Sequence, residues 1–151
     1  MTDRDTAAWR TFREVHTRLT KALDAELRTE TELHLTWFDA LERLAEAGGS
    51  LRMHELAERM LLSRSAATRF ADRLERAGLV RRRECDRDRR GTRIMLTADG
   101  WDVLGRAAPI HHQGVETHFA RYLSDDEAAT LTRLLGKILV GEASLGDQAL
   151  G

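Results

Sequence analysis

Residues 81–97, RRRECDRDRRGTRIMLT, carry seven arginines in their first thirteen positions. A second group of donors, Ser63, Arg64, Ser65, Thr68, Arg69 and Arg73, precedes them. At 3.6 residues per turn, Arg64, Ser65, Thr68, Arg69 and Arg73 share the face of a helix opposite Ala67, Phe70, Ala71 and Leu74. A guanidinium is always charged and presents a planar fork of N–H donors, which matches a phosphate or the O6/N7 edge of guanine. Hydroxyls donate to phosphate oxygens. The chemistry these residues offer is therefore non-covalent recognition of a polyanion. Arg64 and Arg69 suit base edges; Ser63, Ser65 and Thr68 suit phosphates; Arg73 can instead pair with Asp72 or Asp88. In the second cluster, Arg87, Arg89 and Arg90 are the candidate contacts, and Asp88 is expected to orient Arg90 or another arginine. Arg81, Arg82 and Arg83 alternate along a strand, cannot all face one partner, and read mostly as strand surface.

The whole chain has net charge −1, yet residues 52–93 hold 13 Arg, no Lys and 7 acids, a local charge of +6 against −7 elsewhere. A basic centre between acidic arms points to one polyanion site rather than to a generally adhesive surface.

These side chains need elements to hold them. Apolar spacing predicts an amphipathic helix over 8–28 through Trp9, Phe12, His16, Leu19, Leu23 and Leu27, and a second over 35–47 ended by Gly48-Gly49. A short helix over 55–60, a tight turn LLS, Ser63 as N-cap, and a helix over 64–77 stopped by Gly78 make a helix-turn-helix. LVRRRE and RIMLT read as a hairpin whose charged connection projects as a wing able to reach phosphates and minor groove. Thr97 caps a long helix to about Tyr122, bent at Pro109 and Gly114; SDDE at 124–127 is a capping box for a last helix, frayed beyond Ser144. The fold class expected is mainly α: a winged helix-turn-helix DNA-binding core at 35–97, with helices at 8–34 and 98–145 forming a dimerisation region, all within one domain spanning 1–151. The apolar stripes of those helices exceed what one winged helix covers, which predicts a homodimer.

Other chemistries fit less well. His111 and His118 lie two turns apart, about 10 Å, too far to share an ion, leaving only His112 and Glu116 at ligand-pair spacing, so no metal site is expected. Cys85 sits among arginines that would lower its thiol pKa, but one cysteine supports neither a disulfide framework nor a zinc finger. No phosphate loop or nucleophile elbow appears, so no enzymatic activity and no cofactor are expected. The N-terminal residues are polar and no stretch reaches the roughly 20 apolar residues of a membrane span, which reads as a cytoplasmic chain without a membrane partner. Two alternatives stand beside a DNA-binding regulator: a zinc-responsive regulator of the same fold, and a winged helix that contacts protein.

ELAERMLLSRSAATRFADRLERAGLVRR, followed by DRDRRGTRIMLT and ADG, resembles the MarR family of bacterial transcriptional regulators. The Asp-x-Arg at Asp88 and Arg90, before a strand ending Leu-Thr, looks like that family's wing signature. The resemblance implies a homodimer built from the first and last two helices, acting on a palindromic operator in double-stranded DNA, more often as repressor than activator. It also implies a small aromatic or phenolic effector. His16, His34, Trp37 and Trp101 are the residues placed to line an effector crevice, although packing explains each equally.

Overall fold

The computed structural model describes residues 2–84 and 91–149. Residues 1–113 and 114–151 form two compact units.

In the first unit, α1 (Asp3–Thr31) starts earlier than its apolar stripe. Thr2 and Asp5 form a reciprocal capping box there, and two acids in the first turn complement the helix dipole. Of this helix only Leu27 is buried; Trp9 and Phe12 remain 58% and 47% exposed. The stripe exists, but among the described residues its N-terminal half stays exposed.

Helix α2 (Leu35–Glu46) begins where the Leu35 N–H donates to the Asp24 carboxylate of α1 at 2.9 Å, so a neighbouring helix supplies the cap that His34 does not. Phe38, Ala40, Leu41 and Leu44 turn into the core. Gly48 and Gly49, with φ of +82° and +97°, reverse the chain into a three-residue strand, β1 (Ser50–Arg52), that the apolar pattern did not indicate. Helices α3 (Met53–Arg59) and α4 (Arg64–Arg76) follow, then strands β2 (Val80–Glu84) and β3 (Thr92–Leu96). The sheet is antiparallel in the order β1-β3-β2, with Leu51 and Arg82 opposite Ile94. Leu51 and Ile94 are buried against Phe38, Leu56, Phe70 and Leu74. Burying such side chains stabilises by about 1.5–3 kcal/mol each, which is what clamps α4 to the sheet.

Helix α5 (Ala98–His118) is tied to this core at its first turn. Thr97 Oγ1 accepts the Gly100 N–H at 3.0 Å and donates to the Gly78 carbonyl at 2.6 Å. A Cβ at Gly100 would collide with the Leu79 carbonyl oxygen, so only glycine permits this approach. Pro109 lies inside α5 without ending it. The helix stops at His118, and a separate 3₁₀ turn, Ala120–Tyr122, holds Tyr122, which the periodicity had assigned to α5.

In the second unit, α6 (Asp125–Ala149) opens on the expected capping box: Ser124 N–H donates to Glu127 at 2.8 Å, and Ser124 Oγ accepts the Glu127 N–H. The helix continues past Ser144 instead of fraying there. Its apolar stripe is also uncovered, with Leu134 and Ile138 46% and 61% exposed.

Candidate nucleic-acid interface

The turn between α3 and α4 is closed by the Leu62 N–H donating to the Ala57 carbonyl at 2.9 Å. It requires Leu61 at φ +53°, a left-handed conformation that a β-carbon disfavours, and leaves that side chain almost wholly exposed. Ser63 Oγ then accepts the Ala66 N–H at 3.2 Å, the expected N-cap. The Ser63 and Ser65 hydroxyls also lie 3.4 Å apart, where either can donate to the other. Thr68 differs, since its hydroxyl donates to the Arg64 carbonyl at 3.0 Å. Arg64, Ser65, Thr68, Arg69 and Arg73 are all exposed along α4, while Ala67, Phe70, Ala71 and Leu74 are buried. The guanidinium groups of Arg64 and Arg69 make no hydrogen bond or ion pair among the described residues, which leaves two unneutralised forks on this face.

Arg73 does not pair with Asp72. Its guanidinium lies over the Phe70 ring, 5.6 Å from the centroid, and Asp72 is taken by Arg82 at 2.5 Å. The Arg82 backbone N–H and guanidinium also donate to Glu75, at 2.8 and 3.1 Å. These bonds, the backbone one first, hold the Glu75 carboxyl below its ordinary pKa. Arg82 is therefore not strand surface: it ties the strand entering the wing to the helix bearing the exposed arginines.

Sheet register brings out a feature that the linear order concealed. Arg83 stands opposite Arg93, and Arg93 opposite Arg52, so three arginines form one row across the sheet. Cross-strand partners share a face, and two residues along the strand Arg81 joins the same face. Arg93 Nε donates to Ser50 at 3.0 Å, and Glu55 lies near enough to Arg52 and Arg93 for both to help lower its carboxyl pKa, after the Arg52 backbone N–H. Among the described residues, Glu55 is a carboxylate whose charge interacts with this row. Like charges directly opposite are destabilising, so the row fits a face that meets an anion. The wing-tip residues Arg87, Asp88, Arg89 and Arg90, with Cys85, lie outside the described residues.

The four crevice candidates have separate neighbours. His16 stacks on Phe12 at 6.4 Å, His34 sits 3.5 Å from Asp24, Trp37 packs against the core, and the Trp101 indole lies against Gly49. No metal site was expected from spacing along α5; among the described residues, Glu42 of α2 stands with His111 and His112 of α5 at metal-ligand spacing.

A helix-turn-helix with a cationic outer face, backed by a three-stranded antiparallel sheet, defines a winged helix-turn-helix protein. The family model described as the MarR family matches residues 31–91. Over nearly its whole length the chain is similar to AbsC, a MarR family transcriptional regulator from Streptomyces coelicolor: 33% identity over 95% of this chain and 97% of that one, TM-score 0.90. Sco3205 from the same organism, a MarR family regulator solved in complex with DNA, is 32% identical over 93% and 89%, TM-score 0.87. The transcriptional repressor MprA of Escherichia coli K12 is 35% identical over 69% of this chain and 59% of its own length. The chain belongs to the MarR family and is a transcriptional regulator, not an enzyme. No described helix is long and apolar enough to cross a membrane.

Proposed function

We propose that the chain is a repressor that binds a palindromic operator as a homodimer, through α4 in the major groove and the arginine-rich wing beside it. The observation that carries this reading is the pair of unneutralised guanidinium groups, Arg64 and Arg69, on the exposed face of α4. Arg64 and Arg69 read base edges. Ser63 and Ser65 hold phosphates, and Arg87, Arg89 and Arg90 reach the adjacent backbone and minor groove, with Asp88 orienting them. The row Arg83–Arg93–Arg52 adds phosphate contact that the linear sequence did not disclose. Thr68 joins them once its hydroxyl turns from the Arg64 carbonyl. The uncovered stripes of α1 and α6 support residues 8–34 and 98–145 as the dimerisation region, with 35–97 as the DNA-binding core. A two-fold dimer carries two copies of α4 and so calls for two half-sites about one helical turn apart. Release by a small aromatic effector rests on the family resemblance, with His16, His34, Trp37 and Trp101 as its contacts.

Selection of bound duplexes from a random library, followed by sequencing, tests the reading. Enrichment of an inverted repeat with half-site centres 10–11 base pairs apart supports it. Enrichment of no sequence contradicts it.

A further inference from the structure

Helices α2 and α5 bring Glu42, His111 and His112 together, with one ligand atom from each within 4.8 Å of the other two. Glu42 is 69 positions before His111 in sequence, so this grouping is a product of the fold. Phe38, fully buried one turn before Glu42, holds the His111 ring at 4.4 Å between centroids. His111 Nδ1 is buried and has no hydrogen-bond partner. Buried polar nitrogens are ordinarily satisfied, and His111 stands beside two further donors of electron pairs. His112 is exposed and Glu42 half-buried, so the set opens to solvent on one side and is fixed on the other.

We propose that Glu42, His111 and His112 bind a divalent transition-metal cation of the zinc type. Two imidazoles and a carboxylate suit such an ion, whereas calcium and magnesium call for oxygen ligands. Tetrahedral ligands at 2.0–2.1 Å from the ion stand about 3.4 Å apart, so ligation requires a contraction within reach of His112 and Glu42 side-chain rotation. A water supplies the fourth position from the open side. Arg43, next to Glu42, places a cation close by, and the half-buried Asp39 carboxylate lies near both Arg43 and His111. The site is independent of the DNA-binding reading, because none of its ligands lies on α4 or the sheet.

Isothermal titration of the untagged, chelator-treated full chain with zinc, with a zinc-binding dye as competitor, measures the site directly. The expected result is one zinc per chain at micromolar affinity or tighter. Glu42→Gln and His112→Ala should each weaken binding at least tenfold while melting like the unsubstituted protein. His54→Ala, an exposed histidine on α3, should bind as before. Cobalt in place of zinc should give the visible absorption of tetrahedral coordination, lost in His112→Ala. Because His111 packs on Phe38 and its removal risks the fold, the test rests on the two more exposed ligands. Absence of zinc binding overturns the proposal, as does binding undiminished in both variants or equally weakened by His54→Ala.

Discussion

The guanidinium of Arg82, on the strand leading into the wing, lies 2.5 Å from the Asp72 carboxylate on the helix that carries Arg64 and Arg69. Glu75, one turn later on that helix, takes the Arg82 backbone N–H and a second guanidinium contact. Strand β2 and helix α4 are thus locked in register by a three-residue network. Arg82→Met keeps the stem but removes the fork. We expect a loss of about 1–2 kcal/mol in urea unfolding, and weaker operator binding without altered base preference.

The same network sets an acid response. Glu75 has a pKa below its ordinary value of about 4.3, so its stabilisation is fully present above that value and is lost as pH falls through the lower folded value. Stability measured from pH 6 downward should fall less steeply in Glu75→Gln than in the unsubstituted chain. Parallel curves would show that Glu75 does not carry this linkage.

Two glycines of α5 should respond oppositely to alanine. At Gly100 a Cβ meets the Leu79 carbonyl, backbone that cannot step aside, whereas at Gly105 it meets open space. Gly100→Ala should destabilise by about 1–3 kcal/mol. Gly105→Ala should stabilise by about 0.5–1 kcal/mol, raising Tm by roughly 1–4 °C. Paired thermal melts decide it.

Such constraints mark where sequence reading stops. The face of α4 was legible because its apolar residues repeat with helical period between Ser63 and Gly78, both of which act locally. Alternation in RRR showed that its three arginines could not share a face, but which of them turns inward depends on pairing with Ile94. Strand β1 has one buried residue, Leu51, and exists only through its partner β3. The Glu42, His111 and His112 cluster was invisible to spacing along one helix, because its members come from two. The stripes of α1 and α6 were visible as stripes. Periodicity cannot say whether such a stripe meets the chain's own core or another chain, and in the single chain much of each is uncovered.

Those uncovered stripes predict that the α1 surface is needed for assembly. Trp9→Glu with Phe12→Glu should shift sedimentation of the full chain from dimer to monomer, or yield aggregated protein. It should also weaken operator binding by at least tenfold, since each half-site would then be bound separately. A dimer of unchanged affinity would remove α1 from the interface.

The central claim is that the arginine face of α4 and the sheet row bind DNA in two different ways. Fluorescence anisotropy of the selected operator and a scrambled duplex, across a salt series, separates them. Arg64→Ala and Arg69→Ala should each cost about 1–3 kcal/mol on operator and narrow the gap to the scrambled duplex. Arg83→Ala should weaken both duplexes equally and lower the salt slope by about one unit per contact. Arg133→Ala on α6 should change neither. If Arg64→Ala and Arg69→Ala bind both duplexes as the unsubstituted protein does, the α4 face is not the reading surface and the account is wrong.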